Sequence, residues 1–421
     1  MSAADMEPLD DFIRRARIWL EVHMPRRADA APSSGGRRTE EEELARVTEC
    51  RRLQRMLYDG GLAGICVPPE YGGQGLTSAH QEAFNRLITG YDYPAEIQVP
   101  TFTPCMAVIL DSGTEEQKQR HIPPILRGEE LWMQFLSEPS GGSDVASART
   151  SAVHDGDGWL LNGSKIWTTG AWWADWALCL ARTNWDVPKH RGLTVLMLPI
   201  RQPGIEIHRI EMVNGSREFC QEYLTDVRVP DSDRLGEVDG GWTVGRRWMY
   251  HERTTNGGSP YVTRPDSLIR TLYGPPGGAA GLARRSKAAG YPDDATRQQA
   301  VGEARALELV GSALTRHVAA GIEGGTMPDQ AAAVTKLFAG LATARLIQLG
   351  YELAGPAAAA WDAPEQEEAA GVTYLMRQAM CIGGGTTEMN RQIVSERVLG
   401  MPRPESLDKN VPFRDVPRGP A

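Results

Sequence analysis

The chain is expected to fold as an α+β protein of several domains, with a helical region first, a β-rich region in the middle and a long helical region last. Three observations predict this. Hydrophobic residues recur at helical spacing from Pro8 to about Leu126, the texture changes to short β-prone runs from about Leu131 to Val238, and helical spacing returns from Gly241. At 421 residues the chain is longer than one hydrophobic core usually organises, so two or three domains are expected. Turn sequences such as Asp155-Gly156-Asp157-Gly158, Pro203-Gly204 and Asn214-Gly215 cluster in the middle third. The expected domains are 1–130, 131–238 and 239–405, followed by a tail at 406–421.

In the first region Leu44, Val47, Leu53, Met56 and Leu57 share a helical stripe between Glu41 and Gly60, and Gly60-Gly61 ends it. Ala28 to Arg38, rich in Ala, Ser, Gly and Arg, reads as a connector. Strands are expected at Trp159–Leu161, Ala177–Arg182, Leu193–Leu198, Ile205–Ile210 and Tyr223–Val229. In the last region Val301, Ala304, Leu307, Val310, Leu314 and Val318 form one apolar stripe and Val334, Leu337, Phe338 and Leu341 another. Helices of this length pack as a bundle. Ser259 to Gly290 interrupts them with Gly274-Pro275-Pro276-Gly277-Gly278, so part of that stretch is expected to be loop.

Composition excludes several classes. Hydrophobic residues at 41% and charged residues at 24% are those of a globular protein rather than a fibre. A net charge of −9 argues against sequence-independent nucleic-acid binding, which needs a basic surface. No stretch approaches the ~18 apolar residues of a membrane span, and the start is acidic, so a cytoplasmic protein is expected. Six cysteines without a CxxC pair or a His at metal-ligand spacing read as buried thiols, and no metal site is expected.

The common catalytic fingerprints, a GxGxxG turn, a P-loop, HExxH and a nucleophile elbow, are absent from the sequence. Two runs of small polar residues stand out instead. One is Phe135-Leu136-Ser137-Glu138-Pro139-Ser140-Gly141-Gly142-Ser143-Asp144, followed later by Trp167-Thr168-Thr169-Gly170. The other is Ile382-Gly383-Gly384-Gly385-Thr386-Thr387-Glu388, placed before a charged helix. Exposed backbone N–H groups and small hydroxyls suit a polar planar ligand or a phosphate; by composition alone the same runs are also turns and helix caps.

Those residues carry a resemblance. Pro69-Glu70-Tyr71-Gly72-Gly73-Gln74-Gly75, Phe135 to Thr150, Trp167 to Ala171 and Gly383 to Arg403 resemble, in order, four signatures of the acyl-CoA dehydrogenases. The likeness spans nearly the whole chain and implies an N-terminal all-α domain, a middle β-domain and a C-terminal four-helix bundle. It implies a flavoenzyme that takes a proton from the α-carbon of an acyl thioester and passes a hydride from the β-carbon to FAD. The resemblance implies Ser137, Trp167, Thr169, Thr386 and Glu388 as FAD contacts, and Ser143 and Arg253 beside the substrate's phosphopantetheine arm, Arg253 being equally suited to pair with Glu252.

Many family members carry the catalytic Glu at the position of Gly384, where this chain has no side chain. Relatives such as the isovaleryl and long-chain enzymes supply it from a bundle helix, in a stretch matching Met249-Tyr250-His251-Glu252-Arg253. Glu252 is therefore the expected base, with the Gly384 N–H as a donor to the thioester oxygen. His251 and the cluster Trp172, Trp173 and Trp176 read as structural.

Two family features are not matched. No Arg-x-x-Phe-Gly segment follows the base-bearing helix, where Leu282-Ala283-Arg284-Arg285-Ser286-Lys287 stands instead, and Glu352-Leu353-Ala354-Gly355-Pro356 replaces a Gly-Gly pair. The expected partners are an acyl-CoA or acyl-carrier-protein thioester, an electron-transfer flavoprotein and further subunits in a homodimer, homotetramer or mixed oligomer. Two alternatives stand beside this reading: an acyl-CoA oxidase that uses oxygen directly, and a non-catalytic subunit of a heteromeric dehydrogenase.

Overall fold

A computed structural model describes residues 6–26, 39–255, 259–263, 278–288, 290, 295–359, 365–403, 405 and 408–416. The connector expected at 28–38 and the Gly-Pro run at 274–277 lie outside the described residues.

The first region is helical, with α1 (Leu9–His23), α2 (Glu40–Asp59), α3 (Ser78–Leu87), α4 (Ala95–Pro100), α5 (Ala107–Ser112) and α6 (Glu115–Leu126). Helix α2 begins where Thr39 and Glu42 satisfy each other's backbone, the Thr39 hydroxyl accepting from the Glu42 N–H at 3.2 Å and the Glu42 carboxylate from the Thr39 N–H at 2.8 Å. Four glutamates, Glu40 to Glu43, then meet the positive end of the helix dipole.

The middle region is an eight-stranded sheet of β1 (Trp132–Phe135), β2 (Ser151–Asp155), β3 (Gly158–Thr169), β4 (Trp176–Arg182), β5 (Leu193–Pro199), β6 (Ile205–Ile210), β7 (Phe219–Pro230) and β8 (Arg234–Leu235). The strand order is β6-β7-β3-β2-β4-β5-β8, and β1 lies parallel to β4. Apart from Thr194 and the terminal Arg182, strands β4 and β5 are apolar because both of their faces are covered. Ala177, Cys179, Leu196 and Leu198 point into the sheet's own core with Trp159 and Val227. Leu178, Leu180, Val195 and Met197 point to the other side, against Ile122, Ile125, Val244 and Trp248 of the flanking helices.

The last region holds α7 (Gly241–Thr254), α8 (Gly278–Ala288), α9 (Ala295–Glu323), α10 (Ala332–Ala354), α11 (Glu365–Leu375) and α12 (Thr387–Ile393). Helix α8 lies within the stretch Ser259 to Gly290 in which loop was expected. Residues Asp329–Ala354 are long and apolar enough to cross a membrane by length and composition, and 61% of the apolar window is buried inside the fold.

Of the two expected apolar stripes, Val301, Ala304, Leu307, Val318 and Phe338 lie in or against the core, but two members face outward. Val310 is 52% exposed and Leu341 45% exposed, whereas α10 buries Ala332, Ala333, Thr335, Lys336, Ala339, Gly340, Ala342 and Thr343. Small residues let α10 approach its neighbours closely, and a stripe drawn through large side chains misses that face. A Cβ at Gly340, for example, would stand 2.9 Å from the Met380 carbonyl oxygen.

The segment 408–416, expected as a tail, docks on the middle domain. Phe413 N–H donates to the Val187 carbonyl at 2.9 Å and Arg414 N–H to the Trp185 carbonyl at 3.0 Å. The Phe413 ring lies 4.0 Å below the buried Arg182 guanidinium. Lys189 joins this strap to the Ser137–Asp144 run, reaching Asp408 and Asp144 at 2.8 Å each.

That run is anchored from inside the sheet by a buried ion pair. Lys165 Nζ meets Glu138 Oε1 at 2.9 Å and donates to the Leu136 and Leu180 carbonyls at 3.3 and 2.6 Å, with its side chain fully buried. Glu138 also accepts the N–H groups of Arg149 and Thr150 at 2.6 and 2.8 Å. Burial pushes the Glu138 carboxyl up, but the Lys165 charge and the hydrogen bonds outweigh it and hold the group below its ordinary value. This contribution to stability is present above the ordinary carboxylate pKa and is lost as pH falls through the depressed one. Glu138→Ala leaves the Lys165 ammonium buried without its counter-charge, and is expected to cost about 3–5 kcal/mol, read as a lowered denaturant midpoint.

Candidate active site

Sheet strain and helix packing bring the sequence candidates into two groups. The first lies on the middle domain around Trp167. A register shift between Ile166 and Thr168 in the β3–β7 pairing leaves Trp167 at φ +67°, with its indole 53% exposed. A bulky residue in the left-handed region is strained, and strain of this kind is held at sites where one side chain must face outward. Ser137 is next to it, because the Ile166 N–H donates to the Ser137 carbonyl at 3.0 Å. Beyond Ser137 the Gly141-Gly142 turn is open: a Cβ at Gly142 would meet nothing nearer than the Ser137 hydroxyl at 3.9 Å. Ser143 is exposed and Thr169 half-buried at the same end.

The second group lies on the helical domain. Glu252 and Arg253 are half-buried on α7. Gly384 sits at φ +70°, and a Cβ built there would be 3.9 Å from Glu252 Oε1 and 3.0 Å from Lys336 Cε. The Glu252 carboxylate thus reaches the space beside Gly384. Burial raises the Glu252 pKa above the ordinary value, partly opposed by the positive charges of Arg253 and Lys336. Burial lowers that of Arg253, and Glu252 opposes the shift.

Gln134 of β1 ties the two groups together. Its carbonyl accepts from the Thr168 hydroxyl at 3.1 Å, and its side-chain oxygen accepts from the Trp248 indole N–H, one helical turn before Glu252. Behind this link Glu222 is fully buried; Oε2 lies 3.0 Å from the Thr168 hydroxyl, whose one proton is shared between it and the Gln134 carbonyl, while Oε1 has no partner among the described residues. Burial pushes its carboxyl up to about 8, against the Thr168 hydrogen bond and the Lys165 charge.

Thr386 and Glu388 follow Gly384. The Thr386 hydroxyl caps α12, accepting from the Met389 N–H at 3.1 Å, while Glu388 is exposed and 3.6 Å from Arg391. Asn390 shapes the loop between them by donating to the Gly385 and Thr386 carbonyls at 2.8 and 2.9 Å. His251 points away from Glu252's role, pairing with Asp111 at 2.8 Å. Trp173 is core, Trp176 stacks on Trp132, and Trp172 lies under Arg209. Sequence reasoning missed Gln134, Glu222, Trp248 and Lys336; the one available signal was a lone lysine within the apolar run Val334 to Leu341.

A helical domain, a sheet and a helical bundle are the architecture that the resemblance to the acyl-CoA dehydrogenases implies. The comparisons with known proteins give the same answer. The acyl-CoA dehydrogenase N-terminal, middle and C-terminal domain models match residues 31–129, 134–227 and 239–399. Acyl-CoA dehydrogenase IpdE1 of Mycobacterium tuberculosis is 31% identical over 94% of this chain and 99% of its own length. Acyl-CoA dehydrogenase FadE34 of the same organism is 32% identical over 86% of this chain, which spans only 47% of that longer protein. Among solved structures, the Tcur3481-Tcur3483 steroid ACAD is 25% identical with a TM-score of 0.72, covering 94% of this chain and 99% of that one. The ChsE4-ChsE5 complex from Mycobacterium tuberculosis has the same fold, with a TM-score of 0.71 at 24% identity, covering 96% of this chain and 100% of that one. The chain belongs to the acyl-CoA dehydrogenase family.

The raised carboxyl of Glu222 makes a stability prediction. A group whose folded pKa lies above its unfolded value of 4.5 contributes stability that is complete below 4.5 and is lost as pH rises through about 8. Glu222→Gln keeps a neutral partner for Thr168 and removes the titration. Its thermal midpoint is expected to gain on the wild type progressively from pH 4.5 to pH 8, and a difference that stays flat across that window refutes the assignment.

Proposed function

We propose that the chain removes one α-proton and one β-hydride from an acyl-CoA or acyl-carrier-protein thioester, giving the trans-2-enoyl thioester, with Glu252 as the base. The observation that carries this is the Glu252 carboxylate oxygen standing 3.9 Å from the point where a side chain of Gly384 would begin. The family's more common base position is empty here, and a carboxylate from α7 reaches the same space. Burial raises the pKa of Glu252 toward working pH, which strengthens it as a proton acceptor. Arg253 and Lys336 keep the anion accessible.

The backbone N–H of Gly384 is the proposed donor to the thioester oxygen, where negative charge builds as the α-proton leaves. Ser143 and Arg253 are the proposed contacts for the phosphopantetheine arm. The open turn at Gly141-Gly142, the Ser137 hydroxyl and the outward Trp167 indole fit a planar ring system, so Ser137, Trp167 and Thr169 would hold the isoalloxazine end of FAD, with Thr386 and Glu388 toward its far end. Bound FAD supplies the hydride acceptor at flavin N5, from which an electron-transfer flavoprotein takes the electrons. Assembly with a second chain, identical or different, is part of the proposal; it is supported by the two-component naming of the Tcur3481-Tcur3483 and ChsE4-ChsE5 structures and by Leu309, Val310, Leu399 and Met401, each more than half exposed here.

The test is anaerobic addition of a panel of acyl-CoA thioesters, including steroid-linked ones, to the purified protein while its flavin absorbance is followed. Bleaching by one member identifies the reaction; peroxide release in air would instead mark an oxidase. Glu252→Gln is expected to lower turnover by about 10²–10⁴-fold with the flavin spectrum retained, and normal activity in that variant defeats the base assignment. Because Glu252 must be ionised to act, kcat/KM is expected to fall on the acid side at a pH above the ordinary glutamate value. Gly384→Val, forced to φ +70° and against Lys336, is expected to lose activity as well.

A further inference from the structure

Lys336 is a buried cation whose charge bears on Glu252 and whose placement has a role of its own. It is 2% exposed, and it lies on α10 between small residues that bring the helix against the Met380–Gly385 loop. Its Nζ donates to the Met380 carbonyl at 2.8 Å. One turn on, Gly340 lets the same carbonyl approach the helix, and the Cys381 thiol donates to the Gly340 carbonyl at 3.5 Å. On its way to this anchor the Lys336 stem passes the glycine loop, with Cε 3.0 Å from the Cβ position of Gly384, the point that Glu252 Oε1 approaches to 3.9 Å. Lysine stem and glutamate carboxylate therefore converge on one small volume from two helices.

We propose that Lys336 is a positioning residue of the site: it holds the Met380–Gly385 loop on α10 and presents its positive charge to the Glu252 carboxylate across the space beside Gly384. The proposal rests on the reading of Glu252 as the base. Two consequences follow from the geometry. A side chain at 384 would be strained at φ +70° and would press on the lysine stem, whereas a carboxylate from α7 enters the same space without either cost. The lysine charge also opposes the upward push that burial gives the Glu252 carboxyl. Among the described residues, the other titratable groups facing the carboxylate are Arg253 on its own helix and the Cys105 thiol from the segment before α5, which burial and the Glu252 charge both push up. Asp111, Arg247 and His251 form a neighbouring set that pairs within itself.

The experiment separates charge from anchoring. Lys336→Gln keeps a donor for the Met380 carbonyl and removes the charge, while Lys336→Met removes both. In each flavin-loaded variant and the wild type, the infrared band of the protonated Glu252 carboxyl, assigned by its loss in Glu252→Gln, is titrated without substrate. The acid limb of kcat/KM is measured with the thioester that bleaches the flavin. Both midpoints are expected to rise by about one pH unit or more in Lys336→Gln and Lys336→Met. A midpoint that stays put in Lys336→Gln, with flavin still bound, overturns the proposal and leaves Lys336 as a loop anchor. Retained activity in Glu252→Gln would defeat the base reading, while the infrared shift would still judge the pairing of lysine and glutamate.

Discussion

A lysine ammonium sealed from water has to be neutralised and fully hydrogen-bonded, and meeting that requirement at Lys165 organises the middle domain. Its partners are one carboxylate and two carbonyls from separate stretches of chain: Glu138 and Leu136 before the sheet's long strands, and Leu180 within β4. Glu138 passes the constraint on to the backbone of Arg149 and Thr150. The Ser137–Ser147 run is thereby pinned at its start and just past its end. Between the pins it can carry exposed glycines and hydroxyls without a core of its own. A purely apolar plug would stabilise the sheet equally well, but it would not specify where that run begins and ends.

From this anchor the site assembles by short relays rather than by one pocket. Ser137 shares a backbone hydrogen bond with β3, the bulge in β3 turns Trp167 outward, and Thr168 beside it reaches Gln134, which reaches Trp248 on α7. One turn later on the same helix is Glu252. Besides the apolar packing of Val244 and Trp248, the part that presents a flat aromatic face and the part that presents a carboxylate are therefore linked through a glutamine whose backbone and side chain serve opposite partners.

The switch from helical to β texture and back was legible because periods of 3.6 and 2 leave different marks on a sequence. The strands expected at Ala177–Arg182 and Leu193–Leu198 lie within β4 and β5, where burial on both faces made the apolar run continuous. The helices of the last region were legible but their buried faces were not. Alanine, glycine and threonine carry little hydrophobic signal, yet they make up most of what the first half of α10 buries, ahead of Leu346, Ile347, Leu349 and Leu353, while Val310 and Leu341 look outward. Glu252 and Gly384 could be singled out only through a family resemblance, since an isolated glutamate on a helix has no distinguishing pattern. Lys336 and Glu222 owe their character to neighbours distant in sequence, and no local spacing reveals them.

The strap at 408–416 has a consequence for how the chain is made. Phe413 covers the Arg182 guanidinium, and the strap's backbone pairs with Trp185 and Val187, yet it is translated long after the strand it covers. Domains complete themselves as they leave the ribosome when their contacts are local. Here the sheet emerges with one buried-to-be cation still facing water, and waits through the synthesis of the whole helical region before its last aromatic lid arrives. Cutting the middle domain out at its strand boundaries would therefore yield a piece that lacks part of its own surface.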